Sequence, residues 1–99
     1  YPSEIENTLL EHEAVAEAAA FPLDTVAHGG VPIATIVTKS AVSENELFAY
    51  CRSILGAHAP HGLMFVSKLP RNAMGKVLKN ELSRLFLQES AKRQSDNQQ

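Results

Sequence analysis

Residues 31–66 carry the pattern of a strand, a helix and a second strand, an order that restricts how the two strands can pair. The segment Val31–Thr38 is rich in β-branched residues, which favour a strand. Apolar residues then recur as in an amphipathic helix, at Leu47, Phe48, Cys51, Ile54 and Leu55. The short apolar segment 63–66 follows as another strand. Because a strand–helix–strand crossover is right-handed and joins parallel strands, we expect 63–66 to lie parallel to 31–38.

Two capping boxes predict where the first two helices begin. In such a box the serine hydroxyl accepts a hydrogen bond from the backbone N–H of the glutamate, and the glutamate carboxylate accepts one from the backbone N–H of the serine. Ser3 and Glu6 form the first box, which predicts helix one from residue 3 to about residue 12. Ser43 and Glu46 form the second box, and the helix that follows it is expected to end at Gly56.

The remaining segments complete an α+β domain. Residues 15–21 predict a strand that pairs antiparallel with 31–38 across a loop at 23–30. A third helix is predicted at about 79–89 by the helical spacing of Leu78, Leu82, Leu85 and Phe86. We therefore expect a small mixed three-stranded sheet with helices packed on it, and a short hairpin at 69–77 that carries a Gly-Lys turn.

Length and composition are those of one small domain with a single core. The chain has 99 residues, of which 44% are hydrophobic and 20% charged. Residues 88–99 are polar, so we expect the domain to cover 1–87 and the last residues to form a disordered tail. The sequence begins at Tyr1, with no initiator methionine and no signal-peptide pattern. We expect it to be an excised domain or a fragment of a longer chain.

Charge, cysteine content and apolar runs argue against several classes of protein. A net charge of −2 with interspersed signs argues against a nucleic-acid partner. No apolar run approaches the ~20 residues that span a bilayer. The single cysteine, Cys51, excludes an intrachain disulfide and fits a reducing, cytoplasmic location. The four histidines lack the spacing of metal ligands, so no metal site is expected.

The stretch 69–79 is a candidate functional loop. Gly75 can adopt a positive φ and set a sharp bend, and Lys76 follows it with a compact charge suited to a phosphate or carboxylate oxygen. Taken alone, these residues are more typical of an ordinary turn, and Arg71 and Lys79 are expected to be solvated neighbours. No nucleophile and base are paired elsewhere in the sequence. The pattern therefore favours a lid that brings one charge to an active site on another domain.

Four blocks of the sequence resemble, in order, motifs of the C-terminal domain of the AMP-forming adenylating enzymes, which include the acyl-CoA synthetases. The blocks are residues 2–6, 10–19, 46–52 and 65–77. The last is the most specific, because FVSKLPRNAMGKV is close to the family pattern F-V-x-x-L/I-P-R-N/T-x-x-G-K followed by an aliphatic residue. The resemblance runs from residue 1 to about residue 87.

This resemblance implies the lid domain of an acyl-CoA synthetase, an acid–thiol ligase. Lys76 would be the catalytic lysine of the adenylation step, and Gly75 would position its loop. ATP and Mg²⁺ would be held mainly by a large N-terminal domain of the same chain, which also binds the carboxylic acid. The small domain then rotates and helps to form the channel in which CoA or phosphopantetheine accepts the acyl group. The 99-residue chain alone is therefore expected to be inactive.

Three departures from the family pattern leave the thiol acceptor open. They are residues 21–24, where a glycine is missing, residues 29–30, where Gly-Glu becomes Gly-Gly, and His58, where the family has a basic residue. One alternative is the lid of an acyl-AMP ligase or of an amino-acid adenylation domain that loads a carrier protein. A second alternative is a stand-alone, non-catalytic binding module.

Overall fold

The chain adopts an α+β fold, seen here in a computed structural model that describes residues 2–23 and 29–97, with side chains of the last helix described as far as residue 92. In order, the described elements are α1 (Pro2–Leu10), β1 (Val15–Leu23), β2 (Val31–Thr38), α2 (Glu44–Leu55), β3 (Gly62–Phe65) and α3 (Lys79–Asn97). A single 3₁₀ turn, Gly56–His58, follows α2. The predicted fold class and the predicted type of each element are confirmed.

The three strands form one mixed sheet in the order β1-β2-β3. β1 and β2 are antiparallel, with Ala19 opposite Thr35. β2 and β3 are parallel, with Thr35 opposite Met64. The predicted crossover from β2 through α2 to β3 is therefore present, and β2 is the central strand.

The sheet separates two apolar clusters, because side chains alternate between its faces along each strand. One cluster joins the sheet to α1 and α2, and its buried members include Ile5, Leu9, Ala34, Ile36, Leu47, Cys51 and Leu63. The other joins the sheet to α3 and to the start of the hairpin, through Ala19, Phe21, Leu23, Ile33, Met64, Leu69 and Leu82. Burial of each large apolar side chain contributes roughly 1.5–3 kcal/mol, so each face holds its own helices.

A β-bulge in β1 determines on which face of the sheet the Glu17 side chain lies. The register with β2 shifts between Val15 and Glu17. Val15 accordingly packs in the cluster on the α1 side. Glu17 instead shares the face of Ala19 and Phe21, whose cluster includes the start of the hairpin.

The Glu6 carboxylate binds the edge strand β1 and does not cap helix α1, so the first predicted capping box is not formed. α1 begins at Pro2, and Ser3 lies within its first turn instead of preceding it. The Glu6 Oε2 atom accepts from the Ala20 amide at 2.9 Å and lies 3.2 Å from the Lys79 ammonium. Because β1 is an edge strand, the Ala20 amide has no strand partner on that side and needs a side-chain acceptor.

The second capping box is confirmed at the serine. The Ser43 hydroxyl accepts from the Glu46 amide at 3.0 Å. Gly56, with φ of 57°, ends α2 and donates its amide to the Arg52 carbonyl. The Glu46 carboxylate lies 3.2 Å from His12 Nε2, so it ties α2 to the turn after α1 instead of returning to the serine.

Two boundaries at the start of the chain differ from the prediction. α1 ends at Leu10, before the predicted residue 12, and β1 continues to Leu23 instead of stopping at Phe21. Pro22 fits inside β1 because it lies two residues from Ala20 and faces the same open edge, where a missing N–H removes no ladder hydrogen bond. The predicted loop at 23–30 therefore begins later, and residues 24–28 of it lie outside the described residues.

The C-terminal segment also differs from the prediction of a disordered tail. α3 continues to Asn97, and of the predicted tail only residues 98–99 lie outside the described residues. The polarity of this segment reflects the lack of an apolar face for packing, which does not prevent helix formation. Its Gln, Glu, Ala, Lys and Arg residues have high helix propensity.

Replacing Thr35 with valine is expected to stabilise the domain. Thr35 is fully buried in β2, and its hydroxyl has no hydrogen-bond partner among the described residues. A buried polar group without a partner costs about 1–3 kcal/mol, and valine has nearly the same shape. Chemical denaturation of Thr35→Val should show an unfolding free energy raised by about 1 kcal/mol. Thr38→Val, exposed at the end of the same strand, is the control and should change it by less than ~0.5 kcal/mol. A less stable Thr35→Val protein would mean that the hydroxyl is satisfied in solution.

Candidate active site

The hairpin after β3 is fixed at its base and along both arms. Leu69 is buried in the cluster on the α3 side. Arg71 and Val77 form an antiparallel bridge. Next to that bridge, the Leu78 amide donates to the Pro70 carbonyl at 2.9 Å. The predicted hairpin at 69–77 is therefore present.

Asn72 organises the turn at the tip of this hairpin. Its side-chain oxygen accepts from the amides of Met74 and Lys76 at 2.9 and 3.0 Å. Its backbone exchanges hydrogen bonds with the Lys76 carbonyl at 2.9 Å and the Gly75 amide at 3.0 Å. Asparagine side chains often mimic a backbone turn in this way, but this role of Asn72 was not predicted from the sequence.

Gly75 has the positive φ that the sequence predicted. Its φ is 87°, in the left-handed region that residues with a Cβ rarely adopt. No atom lies within 4 Å of an added Cβ, so glycine is required here by backbone conformation and not by space. The bend it makes brings Lys76 directly after the tip of the turn.

Lys76 presents an exposed cation. Its backbone is held by Asn72, whereas its side chain is exposed. Among the described residues no carboxylate forms an ion pair with its ammonium group. The charge is therefore available to a ligand while the backbone beneath it is held.

Arg71 and Lys79 are bound to neighbours, contrary to the prediction that both are simply solvated. The Arg71 guanidinium donates from Nη1 to the Gly75 carbonyl at 2.8 Å and from Nη2 to the Glu17 carboxylate at 2.6 Å. The Lys79 ammonium pairs with Glu6, and both lysine and arginine remain about half exposed. Only the folded chain shows the two ion pairs, because both carboxylates, of Glu17 and Glu6, come from the first quarter of the sequence.

An open groove of about 820 Å³ lies beside the turn, between the hairpin, α1, the edge of β1 and the start of α3. Its lining includes Asn72, Lys76, Lys79 and Glu6. Glu6 pairs with Lys79, and Glu81, which also lines the groove, pairs with Arg84, so among these charged groups the Lys76 ammonium has no counter-charge. The groove therefore suits a ligand that carries negative charge.

His12 and Cys51 have structural surroundings. The Nδ1 atom of His12 accepts a hydrogen bond from the Ala14 amide at 3.1 Å, and the ring packs edge-on against Tyr50. Cys51 is buried between α1, α2 and the sheet, and burial raises the pKa of its thiol, which keeps it protonated. Within residues 2–23 and 29–97, no group of three or more His, Cys, Asp or Glu residues is arranged to hold a metal ion.

In the same part of the chain, no helix has the length and apolarity to cross a membrane.

Comparison with known proteins identifies the family. The family model of the AMP-binding enzyme C-terminal domain matches residues 4–76. A 2-succinylbenzoate–CoA ligase of Bacillus pumilus is 44% identical over 92 residues, which are 91% of this chain and 19% of the relative. The chain thus spans about a fifth of the length of the curated relatives it matches.

Solved structures agree with the sequence comparison. The o-succinylbenzoate CoA synthetase of Bacillus subtilis, in complex with its acyl-adenylate intermediate, is 41% identical, with a TM-score of 0.74 over 83% of this chain and 17% of that one. A fatty acyl CoA synthetase of Mycobacterium tuberculosis is 32% identical, with a TM-score of 0.76 over 87% of this chain and 18% of that one. By sequence and by fold, this chain belongs to the family of AMP-binding enzyme C-terminal domains.

Proposed function

We propose that this chain is the lid domain of an AMP-forming acid–thiol ligase and that Lys76 is its catalytic residue. The observation that carries the proposal is the exposed Lys76 ammonium on a turn whose backbone is held by Asn72. The lid would comprise residues 1–87, and a larger domain of the same chain would supply the rest of the active site. The relatives support this, because the matched part is only 17–19% of each of them.

In the proposed reaction a carboxylate oxygen attacks the α-phosphorus of ATP. A bond forms between that oxygen and phosphorus, the α–β phosphoanhydride bond breaks, and pyrophosphate leaves with the electron pair. Negative charge is then shared between the carboxylate and the phosphate oxygens, at a site where a fixed cation stabilises the transition state. The turn around Lys76 supplies such a cation with its backbone already ordered.

The larger domain would bind ATP and Mg²⁺. Mg²⁺ is usually held by one or two carboxylates together with the substrate phosphates, so it would bind where ATP binds, and we assign no step of this chain's chemistry to it. In the second step a thiol attacks the acyl carbon, and AMP leaves as the thioester forms.

The relatives' names favour free CoA as the thiol and 2-succinylbenzoate as the first acid to test. The alternative acceptor is the phosphopantetheine arm of a carrier protein, and an assay of that alternative requires the carrier protein in place of CoA.

The test is a panel of carboxylic acids offered to the full-length protein, with ATP and Mg²⁺. We expect 2-succinylbenzoate to support exchange of labelled pyrophosphate into ATP, and CoA to convert the bound acyl group into a thioester with release of AMP. Benzoate, succinate and a medium-chain fatty acid serve as matched acids that share only part of its structure. Release of ADP and phosphate, or no exchange with any acid in a protein that binds ATP, would contradict the proposal.

A further inference from the structure

We infer that Arg71, held by Glu17, is a positioning residue for Lys76. The inference rests on the proposed function of Lys76. It assigns the second residue of the Pro-Arg-Asn segment a specific task, which is to hold one peptide unit of the turn in place. Arg71 acts through the backbone and does not itself touch the reacting groups.

The peptide unit between Gly75 and Lys76 is bound at both of its polar ends. Its carbonyl oxygen, on Gly75, accepts from Arg71 Nη1 at 2.8 Å. Its N–H, on Lys76, donates to Asn72 Oδ1 at 3.0 Å. Because a peptide unit is planar, two bonds on opposite edges fix the orientation of the whole plane. That orientation sets the direction in which the Lys76 side chain leaves the backbone.

Glu17 connects this clamp to the sheet. Its carboxylate accepts from Arg71 Nη2 at 2.6 Å, and its backbone is paired with Val37 of β2. The bulge before Glu17 places it on the same face as Ala19, the face with the hairpin. The two donors of one rigid guanidinium thus link the central sheet to the peptide of Lys76. A lysine at position 71 lacks that planar fork and cannot reproduce both bonds in the same geometry.

The clamp contributes little to overall stability. The Arg71 and Glu17 side chains are 43% and 39% exposed, and exposed ion pairs add little to the free energy of unfolding. Positioning and folding can therefore be separated by experiment.

The experiment is a double-mutant cycle in the full-length protein, with pyrophosphate exchange as the readout. Arg71→Ala should lower kcat by roughly tenfold, because a shifted lysine loses transition-state contact. KM for ATP and for the acid should stay within ~twofold, since neither is bound by Arg71. In a Lys76→Ala background the same substitution should change the rate by less than ~twofold, because a residue that acts through Lys76 has nothing left to position.

Milder variants keep the test valid if Arg71→Ala folds poorly. Glu17→Gln and Arg71→Lys should lower kcat by a few-fold and should likewise lose their effect beside Lys76→Ala. Arg52→Ala is the control, because Arg52 is also an exposed arginine, but its guanidinium lies over the Phe48 ring on α2 and does not line the groove beside Lys76. It should leave exchange unchanged.

A second readout is independent of activity. Amide hydrogen exchange of the segment 72–77 should speed up in Arg71→Ala, because the Lys76 amide loses its fixed partner geometry. It should stay unchanged in Arg52→Ala.

The outcomes separate this inference from the proposed function. The positioning role is wrong if Arg71→Ala lowers kcat by the same factor with and without Lys76. It is also wrong if neither Arg71→Ala nor Glu17→Gln changes kcat. In both cases the role of Lys76 stands. If Lys76→Ala itself leaves pyrophosphate exchange unchanged, the proposed function is wrong.

Discussion

Replacing Lys76 with alanine in the full-length protein is expected to lower acyl-AMP formation by about 10²–10³-fold, the effect of losing one preorganised charge stabiliser. The ammonium group is exposed, has no ion-pair partner among the described residues and lies on a held turn. Its removal should therefore cost transition-state stabilisation without disturbing the fold. Pyrophosphate exchange measures this step directly.

The second half-reaction and a matched lysine provide the controls for this prediction. Thioester formation from supplied acyl-AMP should be largely spared in Lys76→Ala, because the charge is needed only while carboxylate and phosphate react. Lys68→Ala removes an exposed lysine that does not line the groove, and it should leave exchange within ~twofold. Equal losses in both half-reactions would point to a folding defect in place of a catalytic role.

Replacing Gly75 with alanine is expected to lower acyl-AMP formation by roughly 10–10²-fold. An added Cβ meets no atom within 4 Å, but the φ of 87° is strained for any residue with a side chain. That strain is about 1–2 kcal/mol, and the turn can relieve it by rotating the peptide that carries Lys76. A displacement of about 1 Å at a catalytic group is enough for a loss of this size.

Gly56→Ala distinguishes a local effect on the turn from general destabilisation. Gly56 also has a positive φ, 57°, and also has free space for a Cβ, but it ends α2 away from the hairpin. Gly75→Ala should lower the unfolding free energy by about 1–2 kcal/mol. Gly56→Ala should lower it by about 1–3 kcal/mol, because the ψ of −124° at Gly56 lies outside the left-handed helical region and is adopted almost only by glycine. Only Gly75→Ala should lower pyrophosphate exchange at a temperature where both proteins are folded. Equal activity of the two variants would show that the left-handed bend is not needed for catalysis.

The elements that the sequence predicted correctly are those that depend on neighbours close in the chain. Strand β2 was predicted with its bounds, and α2 was predicted with its serine cap and its terminal glycine. The positive φ of Gly75 was predicted for the same reason. Capping, periodicity and glycine conformation act over a few residues, so the local sequence already contains them.

The contacts that the sequence did not predict join distant segments. Glu6 was assigned to a helix cap, but it serves the edge of β1 and pairs with Lys79. Arg71 was expected to be solvated, but it joins Glu17, 54 residues earlier in the chain, to the turn. A charged side chain has several candidate partners in any sequence, and burial, strand order and the bulge select among them.

The sequence by itself determined the α+β order, the parallel crossover, the glycine bend and the residue that carries the charge. The tertiary structure decided that the charge sits on a turn whose Gly75–Lys76 peptide is held from both sides, by Asn72 and by Arg71. The physical reason is distance along the chain. Hydrogen bonds within a turn follow from neighbouring residues, whereas the link from Arg71 to Glu17 exists only after β1 and the hairpin pack on the same face of the sheet.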